Sequence, residues 1–347
     1  MATTLESSPQ RIAHVEEFVP RRFFSNGHLQ TILGNFLRRT DLLLPAEQVL
    51  VEVAPALGDQ IASRVRCDCH WQSEDVRAAC PTAIIVHGLE GSSNSQYVVG
   101  NANKLWQAGA NVIRMNMRNC GGTEALSSTL YHSGLSGDVG AVMRYFIERY
   151  GLTSLSLIGY SMGGNLVLKL AGDLGSAAPR ALRSVIGVSP AIDLGPSADT
   201  LHEPRNRIYE MKFLYALLAR YRRKVVLFPR AYDPNRAEGI RSIRAFDERI
   251  TAFYSGFTGA DDYYYRAASA RVLDRIAVPT LILNAADDPF IRLLQESRAM
   301  IAANPKITFI ETNHGGHCAF LATPDSTCNY DGYWAEHTLM RFLLEHA

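Results

Sequence analysis

The sequence predicts an α/β protein with a mostly parallel central sheet flanked by helices, together with an N-terminal β-hairpin and a helical cap insertion. After Pro81, short apolar runs alternate with segments whose apolar residues recur every three or four positions, the pattern of a buried strand followed by a helix. Alternating segments at 48–54 and 61–71, separated by turn residues, predict the hairpin. We expect one domain, 1–347.

Each core strand is predicted from a short apolar run. These runs lie at 83–86, 111–115, 155–158, 185–188, 280–283 and 307–310. Helices between them are predicted at 95–107, 138–149 and 162–173. Between the fourth and fifth strands lie about 90 residues, many more than the dozen or so that a crossover needs. We therefore expect a helical cap subdomain at 195–275, inserted between core strands.

Composition excludes several classes of protein. The 347 residues carry 35 basic and 34 acidic side chains, a net charge of +1, which gives no indication of a nucleic-acid partner. With 47% hydrophobic and 20% charged residues, the chain can bury a large core and is neither disordered nor fibrous. Six cysteines are too few for a disulfide scaffold of this length, so reduced thiols are expected.

No segment has the pattern of an export signal or a membrane span. Residues 1–18 lack a continuous apolar stretch, and the best apolar run, 213–219, is seven residues long. We therefore expect a soluble, cytoplasmic protein.

A candidate nucleophile lies directly after the third core strand. Residues 159–165 read Gly-Tyr-Ser-Met-Gly-Gly-Asn and lead into a helical segment. The motif G-x-S-x-G thus lies between a predicted strand and a predicted helix. In this context, glycines on either side of the serine let the strand and the helix approach closely. Ser161 would lie at a helix N-terminus, where free N–H groups favour developing negative charge. A purely structural glycine-rich turn is the alternative.

A serine needs an imidazole to take its proton and a carboxylate to orient that imidazole. The strand at 280–283 runs into Asp287 and Asp288, and the strand at 307–310 runs into His314 and His317. We predict the triad Ser161, Asp288, His317. Adjacent residues of an extended loop point in opposite directions, so only one aspartate can face the imidazole, and Asp287 is the alternative.

The oxyanion hole needs two backbone N–H groups. Met162, directly after the nucleophile, offers the first, and the loop after the strand at 83–86 offers the second. We assign the second to Leu89, because Gly88 lets the chain turn back toward Ser161. We expect His87, in the same loop, to be structural.

The sequence supports a metal site or a cysteine nucleophile less well than it supports the serine triad. A metal site from His314, His317 and the aspartates lacks a rigid helical ligand pair. Residues 67–70, Cys-Asp-Cys-His, have no second ligand pair, so we expect neither metal nor cofactor. Cys120 is an alternative nucleophile with a less complete constellation. Residues 131–134, Tyr-His-Ser-Gly, are expected to pack as a loop.

Together these motifs resemble one branch of the α/β hydrolases, the YheT-like family, which includes the animal abhydrolase-domain types one and three. The resemblance covers most of the chain and rests on residues 27–32, 87–93, 131–134, 159–165, 263–265, 284–290 and 314–317. It implies the α/β-hydrolase fold and a serine carboxylesterase or lipase-like enzyme without a cofactor. On this basis we predict hydrolysis of carboxylic, including lipid, esters through an acyl-serine intermediate. An acyltransferase with the same triad and a non-catalytic lipid-binding protein are the alternatives.

The cap segment 205–249 is strongly basic, with twelve basic and five acidic residues. An ordinary solvated, salt-bridged surface explains this charge. The functional alternative is that a basic cap beside apolar Phe213, Leu214, Leu217 and Leu218 attracts anionic substrates or makes a peripheral contact with a membrane surface. The sequence does not fix the oligomeric state.

Overall fold

The computed structural model describes residues 17–327 and 330–347. Residues 1–16, where we expect no export signal, and Cys328 lie outside the described residues. Within the described part of the chain, eight strands form one sheet in the order β1-β2-β4-β3-β5-β6-β7-β8. They are β1 (Glu47–Ala54), β2 (Ser63–His70), β3 (Thr82–Val86), β4 (Asn111–Met115), β5 (Leu155–Tyr160), β6 (Leu182–Val188), β7 (Thr280–Ala285) and β8 (Ile307–Thr312).

The predicted hairpin and parallel strands are confirmed. β1 pairs antiparallel with β2, with Val51 opposite Val65, and β2 pairs antiparallel with β4. All pairs from β4 through β8 are parallel. β1 alternates buried Val49 and Val51 with exposed neighbours, whereas β3 is buried along its length. One-sided burial of the hairpin and two-sided burial of the parallel strands account for the two hydrophobic patterns.

Helices cover both faces of the sheet. They are α1 (Gly27–Phe36), α2 (Gln96–Gln107), α3 (Ser136–Tyr150), α4 (Met162–Leu174), α5 (Leu194–Leu201), α6 (Arg207–Leu227), α7 (Ile243–Phe246), α8 (Phe253–Ser255), α9 (Ala260–Ala267), α10 (Gln295–Ala303) and α11 (Trp334–Glu345). Side chains of α2 and α11 pack with Ile85 and Ile158 on one face. Those of α3 and α4 pack with Ile84 and Leu157 on the other. Successive strand residues therefore enter opposite halves of the core.

The long connection between β6 and β7 contains α5 to α9. A π-helical segment, Asp247–Ala252, joins α7 to α8 without a break. The observed helices agree with a helical insertion, and the bounds 195–275 for a separate subdomain stay a prediction. In the described part of the chain, no helix is both long enough and apolar enough to cross a membrane.

The turn between β5 and α4 is packed so closely that it excludes side chains. A Cβ atom on Gly159 would lie 2.2 Å from the carbonyl oxygen of Gly163. One on Gly163 would lie 2.4 Å from the carbonyl oxygen of Val86. Both clashes are with backbone atoms, which cannot move aside as a flexible side chain could. The two glycines of the motif are therefore required by the approach of α4 to β5 and β3.

We expect Gly159→Ala to lower the free energy of unfolding by about 3 kcal/mol or more, because the new methyl group has no space. Gly137→Ala is the matched control, since a Cβ there meets nothing within 4 Å and Gly137 is exposed in α3. It should be neutral or stabilising by up to about 1 kcal/mol. Urea denaturation of both variants measures this difference, and equal stabilities would contradict the packing argument.

Candidate active site

Ser161 occupies a one-residue turn between β5 and α4. Its backbone has φ 54° and ψ −116°, a conformation that non-glycine residues seldom adopt. Its N–H donates to the carbonyl of Val188 at 2.9 Å, and its carbonyl accepts from the N–H groups of Asn165 and Ala191 at 3.1 and 3.2 Å. These bonds hold the strained backbone in place. The residue lies on the wall of a cavity.

Asp288 and His317 form a buried pair. Asp288 Oδ2 lies 2.7 Å from His317 Nδ1, and Asp288 Oδ1 accepts from the N–H groups of Phe290 and Ile291 at 3.1 and 2.9 Å. The Phe290 ring covers the imidazole, with ring centroids 4.2 Å apart. These contacts fix the imidazole orientation and leave Nε2 as the nitrogen available for proton transfer.

The electrostatic environment raises the pKa of His317. Burial by itself lowers the pKa, but the Asp288 carboxylate and the neighbouring Cys318 raise it by more. The carboxylate favours the imidazolium form, which is the form that a general base reaches when it accepts a proton. As a consequence, the free base reaches half occupancy only at a pH above the ordinary pKa of imidazole.

Asp287 has different partners from its neighbour. Its Oδ1 accepts from the N–H of Gly316 at 2.8 Å, and its Oδ2 lies 3.5 Å from Nδ1 of His314. Burial raises the pKa of Asp287. The two adjacent carboxylates thus face different histidines of one loop, and this geometry supports Asp288 as the orienting acid.

The loop that carries His317 is supported by α1, near the start of the described chain. Thr31 Oγ1 accepts from the His317 N–H at 2.8 Å and donates to the carbonyl of Gly27 at 2.7 Å. Gln30 donates to the Leu321 carbonyl and accepts from the Leu321 N–H. In the sequence, only the family resemblance indicated that residues 27–32 matter. Their role here is to position the histidine loop.

Ser161 and His317 are held at the same end of β6. The Ser161 N–H bonds to Val188, the last residue of β6, and the Cys318 N–H donates to Ser189 Oγ at 3.1 Å. Among the described residues, no hydrogen bond joins the Ser161 hydroxyl to the imidazole. Such bonds are often long before substrate binds and tighten in the reacting complex.

The two predicted oxyanion donors lie beside Ser161. Met162 is the first residue of α4, so its N–H has no acceptor within the helix. Leu89 follows Gly88, where a Cβ would lie 3.1 Å from Ser161 Cβ. Neither N–H has a hydrogen-bond partner within residues 17–327 and 330–347. Both are therefore free to bind an oxyanion.

His87 has a structural role, as the sequence analysis expected. Its Nδ1 donates to the Gly88 carbonyl at 2.8 Å, and its Nε2 accepts from the Met117 N–H at 3.1 Å. Burial lowers the pKa of His87 to about 4, which keeps the ring neutral. The ring supports the loop that carries Leu89.

An ion pair joins α6 to this loop. Arg220 Nε and Nη2 each lie 2.9 Å from one carboxylate oxygen of Glu90, and the Tyr131 hydroxyl donates to the same carboxylate at 2.5 Å. Glu90 adopts a positive φ of 57°, directly after Leu89. Arg220 also donates to the carbonyl of Asn119. This pairing has no local signal in the sequence, because it depends on where α6 lies.

Several cap cations are engaged within the protein. Lys224 is fully buried and donates to backbone carbonyls of Glu124 and Ser127, and burial lowers its pKa to about 7. Within the basic segment 205–249, four arginines form ion pairs with carboxylates, and these are Arg205, Arg220, Arg223 and Arg244. Part of the basic charge of this segment is therefore engaged within the protein, whereas Arg207, Lys212, Arg222, Arg230, Arg241 and Arg249 are exposed.

Ser161 opens onto a cavity of about 130 Å³ under the cap helices. Its wall is mostly apolar and aromatic. It includes Leu89, Leu130, Tyr131, Leu194, Leu201, Phe213, Leu217, Tyr221, Phe246, Tyr263, Tyr264, Phe290 and Ile291. Tyr131, His132 and Ser133 also line it, so this motif belongs to the site as well as to loop packing. Asn165 of α4 supports the motif by donating to the Ser133 carbonyl at 2.9 Å.

One acidic residue lies on the cavity wall. Asp247 accepts hydrogen bonds from Thr251 Oγ1 and the Tyr264 hydroxyl, both at 2.8 Å. Burial raises the pKa of Asp247 to about 6. In the sequence, Asp247 is distinguished only as one of the five acidic residues of 205–249.

Cys120, the alternative nucleophile, is poorly placed to compete with Ser161. Cys120 is fully buried, and burial raises the pKa of its thiol to about 12, which opposes formation of the nucleophilic thiolate. Burial also raises the pKa of Cys67 and of Cys69. Within the described ranges, no three His, Cys, Asp or Glu side chains are placed to hold a metal ion.

Several known proteins are similar to this chain in sequence. A family model described as the alpha/beta hydrolase fold matches residues 81–324. A protein of Escherichia coli (strain K12) named "Putative esterase YheT" is 31% identical, over 99% of this chain and 97% of the relative. Phospholipase ABHD3 of Mus musculus is 28% identical over 70% of this chain, and the alignment spans 58% of that relative. Medium-chain fatty acid ethyl ester synthase/esterase 2 of Saccharomyces cerevisiae is 24% identical over 76% of this chain and 61% of that relative.

Solved structures show the same fold at low sequence identity. Est1E from Butyrivibrio proteoclasticus superimposes with a TM-score of 0.52 at 16% identity, covering 86% of this chain and 98% of that one. The 2,6-dihydroxy-pseudo-oxynicotine hydrolase gives a TM-score of 0.54 at 15% identity, covering 92% and 71%. These structures show the fold alone. The family model and the full-length likeness to the Escherichia coli protein show that this chain belongs to the YheT-like branch of the α/β hydrolases.

Proposed function

We propose that this protein is a serine hydrolase that cleaves carboxylic esters, of the carboxylesterase and lipase type (EC 3.1.1), with the triad Ser161, Asp288 and His317. The observation that carries the proposal is the buried Asp288–His317 pair, joined at 2.7 Å and held at the same end of β6 as Ser161. The esterase and phospholipase names of the relatives support an ester substrate.

The geometry accounts for each step of ester cleavage. His317 Nε2 takes the Ser161 hydroxyl proton as the oxygen attacks the ester carbonyl, and Asp288 stabilises the resulting imidazolium. The N–H groups of Leu89 and Met162 bind the oxyanion of the tetrahedral intermediate. His317 then gives the proton to the departing alcohol, leaving an acyl-Ser161. Water, activated by the same imidazole, hydrolyses this intermediate and restores the enzyme.

The cavity favours an ester with an apolar portion, since most of its wall is aliphatic or aromatic. A lipid ester fits this description. A membrane-surface contact through the basic cap would use its exposed cations, because Arg220 and Lys224 are buried and Arg223 and Arg244 are paired with carboxylates. The cytoplasmic location stays a prediction.

Acyl transfer is the second candidate function. The yeast relative is named as both a synthase of fatty acid ethyl esters and an esterase. The two reactions share the acyl-Ser161 intermediate and differ only in whether water or an alcohol attacks it. The ratio of ester to acid formed with added ethanol measures the partition between them.

We expect Ser161→Ala to abolish labelling by a fluorophosphonate probe and to lower ester turnover by about 10⁴-fold or more, with the fold intact. The change removes one hydroxyl and leaves the backbone bonds of the turn in place. Probe labelling on gels measures the loss of labelling, an ester hydrolysis assay measures the loss of turnover, and thermal unfolding measures whether the fold is intact. A variant that kept most of its activity would exclude the mechanism. Absence of labelling in the natural protein would instead favour a lipid-binding role.

The raised pKa of His317 predicts that kcat/KM rises with pH above about 6.5, since the imidazole must be unprotonated to act as a base. Asp288→Asn removes the carboxylate that favours the imidazolium. We expect this variant to shift the acidic limb of the profile to lower pH and to reduce kcat by about 10³- to 10⁴-fold. Asp287→Asn is the matched control and should leave the limb in place. A larger loss of kcat in Asp287→Asn than in Asp288→Asn would make Asp287 the orienting acid.

The Arg220–Glu90 pair is expected to position the N–H of Leu89. We predict that Arg220→Met lowers kcat by about 10- to 100-fold with a smaller change in KM, because a misplaced oxyanion donor weakens transition-state binding. Arg223→Met, which removes an exposed partner of Glu124 from the same helix, should retain full activity. Steady-state kinetics of both variants test this, and an equal effect on kcat in both would refute the positioning role.

A further inference from the structure

Asp247 is a carboxyl group on the wall of the substrate cavity, whose lining also includes Ser161. It lies at the start of the π-helical segment that joins α7 to α8. π-helical turns are rare and occur frequently at functional sites. Its hydrogen-bonding partners Thr251 and Tyr264 line the same cavity, so the three residues form one polar patch in an otherwise largely apolar wall.

In the described part of the chain, no cationic side chain forms an ion pair with this carboxyl group, and Arg244 acts on it only at longer range. Within the described ranges, no Lys, Arg or His nitrogen lies within 4 Å of it. Arg244, three residues earlier, pairs with Asp199 and Asp261 instead. Arg220, the other charged residue of the wall, is neutralised by Glu90. A buried carboxylate without a counter-charge is costly, and a substrate that expels water from the cavity increases that cost.

The surroundings of Asp247 suit a positive charge. Aromatic residues share the cavity wall with it, and they are Phe213, Tyr221, Phe246, Tyr263 and Tyr264. Aromatic faces attract cations, and a carboxylate beside them adds a full opposite charge. An alkylammonium group has apolar methyl or methylene groups that match the apolar wall and a charge that compensates the acid. A neutral hydrocarbon would leave the carboxylate unpaired.

We propose that Asp247 and the aromatic residues around it form a subsite for an alkylammonium group carried by the ester substrate. The inference rests on the proposed esterase function and specifies its substrate class. Because the ammonium group could belong to the alcohol or to the acyl part of the ester, both positions are tested.

The experiment compares esters that differ only in charge. Butyrylcholine is paired with 3,3-dimethylbutyl butyrate, and ethyl 4-(trimethylammonio)butyrate is paired with ethyl 5,5-dimethylhexanoate. In each pair a carbon atom replaces the charged nitrogen at nearly constant shape. We expect the natural protein to prefer the cationic member of at least one pair by about tenfold or more in kcat/KM. Asp247→Asn should reduce that ratio to about one, because the amide carries no charge to attract the ammonium group.

Glu238→Gln is the matched control, because Glu238 is an exposed cap acid outside the cavity lining. It should keep the preference of the natural protein. If the natural protein hydrolyses both members of both pairs equally well, the subsite is excluded whether or not Asp247→Asn folds. A preference that survives in folded Asp247→Asn also overturns the proposal. If no ester is cleaved and Ser161 is not labelled by a fluorophosphonate, it is the esterase function itself that fails.

Discussion

The site depends on one steric constraint, the contact of backbone with backbone where β5 meets α4. Because Gly159 and Gly163 have no side chains, α4 can begin with a single residue, Ser161, between it and the end of the strand. This places Ser161 at the apex of the turn and the N–H of Met162 beside it, at the start of the helix. Asn165, one helical turn later, then reaches the loops that border the cavity. The proposed nucleophile, one proposed oxyanion donor and part of the cavity wall therefore follow from the same close approach.

The sequence predicted those parts of the site that lie at the ends of core strands. Buried strands have a strong local pattern, and the carboxyl ends of parallel strands meet at one edge, so Ser161, Asp288 and His317 could be grouped without knowledge of the packing. The alternation of adjacent loop residues also predicted that Asp287 and Asp288 face different partners. The choice of Asp288 was made from the sequence, and the geometry supports it.

Contacts between distant segments could not be predicted in this way. The roles of Arg220 and Asp247 depend on how the cap helices lie on the sheet, and a helical pattern does not specify which partner a face meets. Twelve basic residues in one segment looked alike in the sequence, yet Lys224 is fully buried whereas Arg223 is partly exposed. Thr31 gave no local signal, because its partner is 286 positions away along the chain.

The anchoring of α6 limits how specificity can diverge among related chains. Arg220 and Lys224 bind the loops that follow β3 and β4 through Glu90, Asn119 and Ser127. A chimera that received a foreign cap would lose these bonds unless the matching loop residues came with it. The cap is therefore not an interchangeable module. Changes in the cavity would have to arise residue by residue, or together with the loop that carries Leu89.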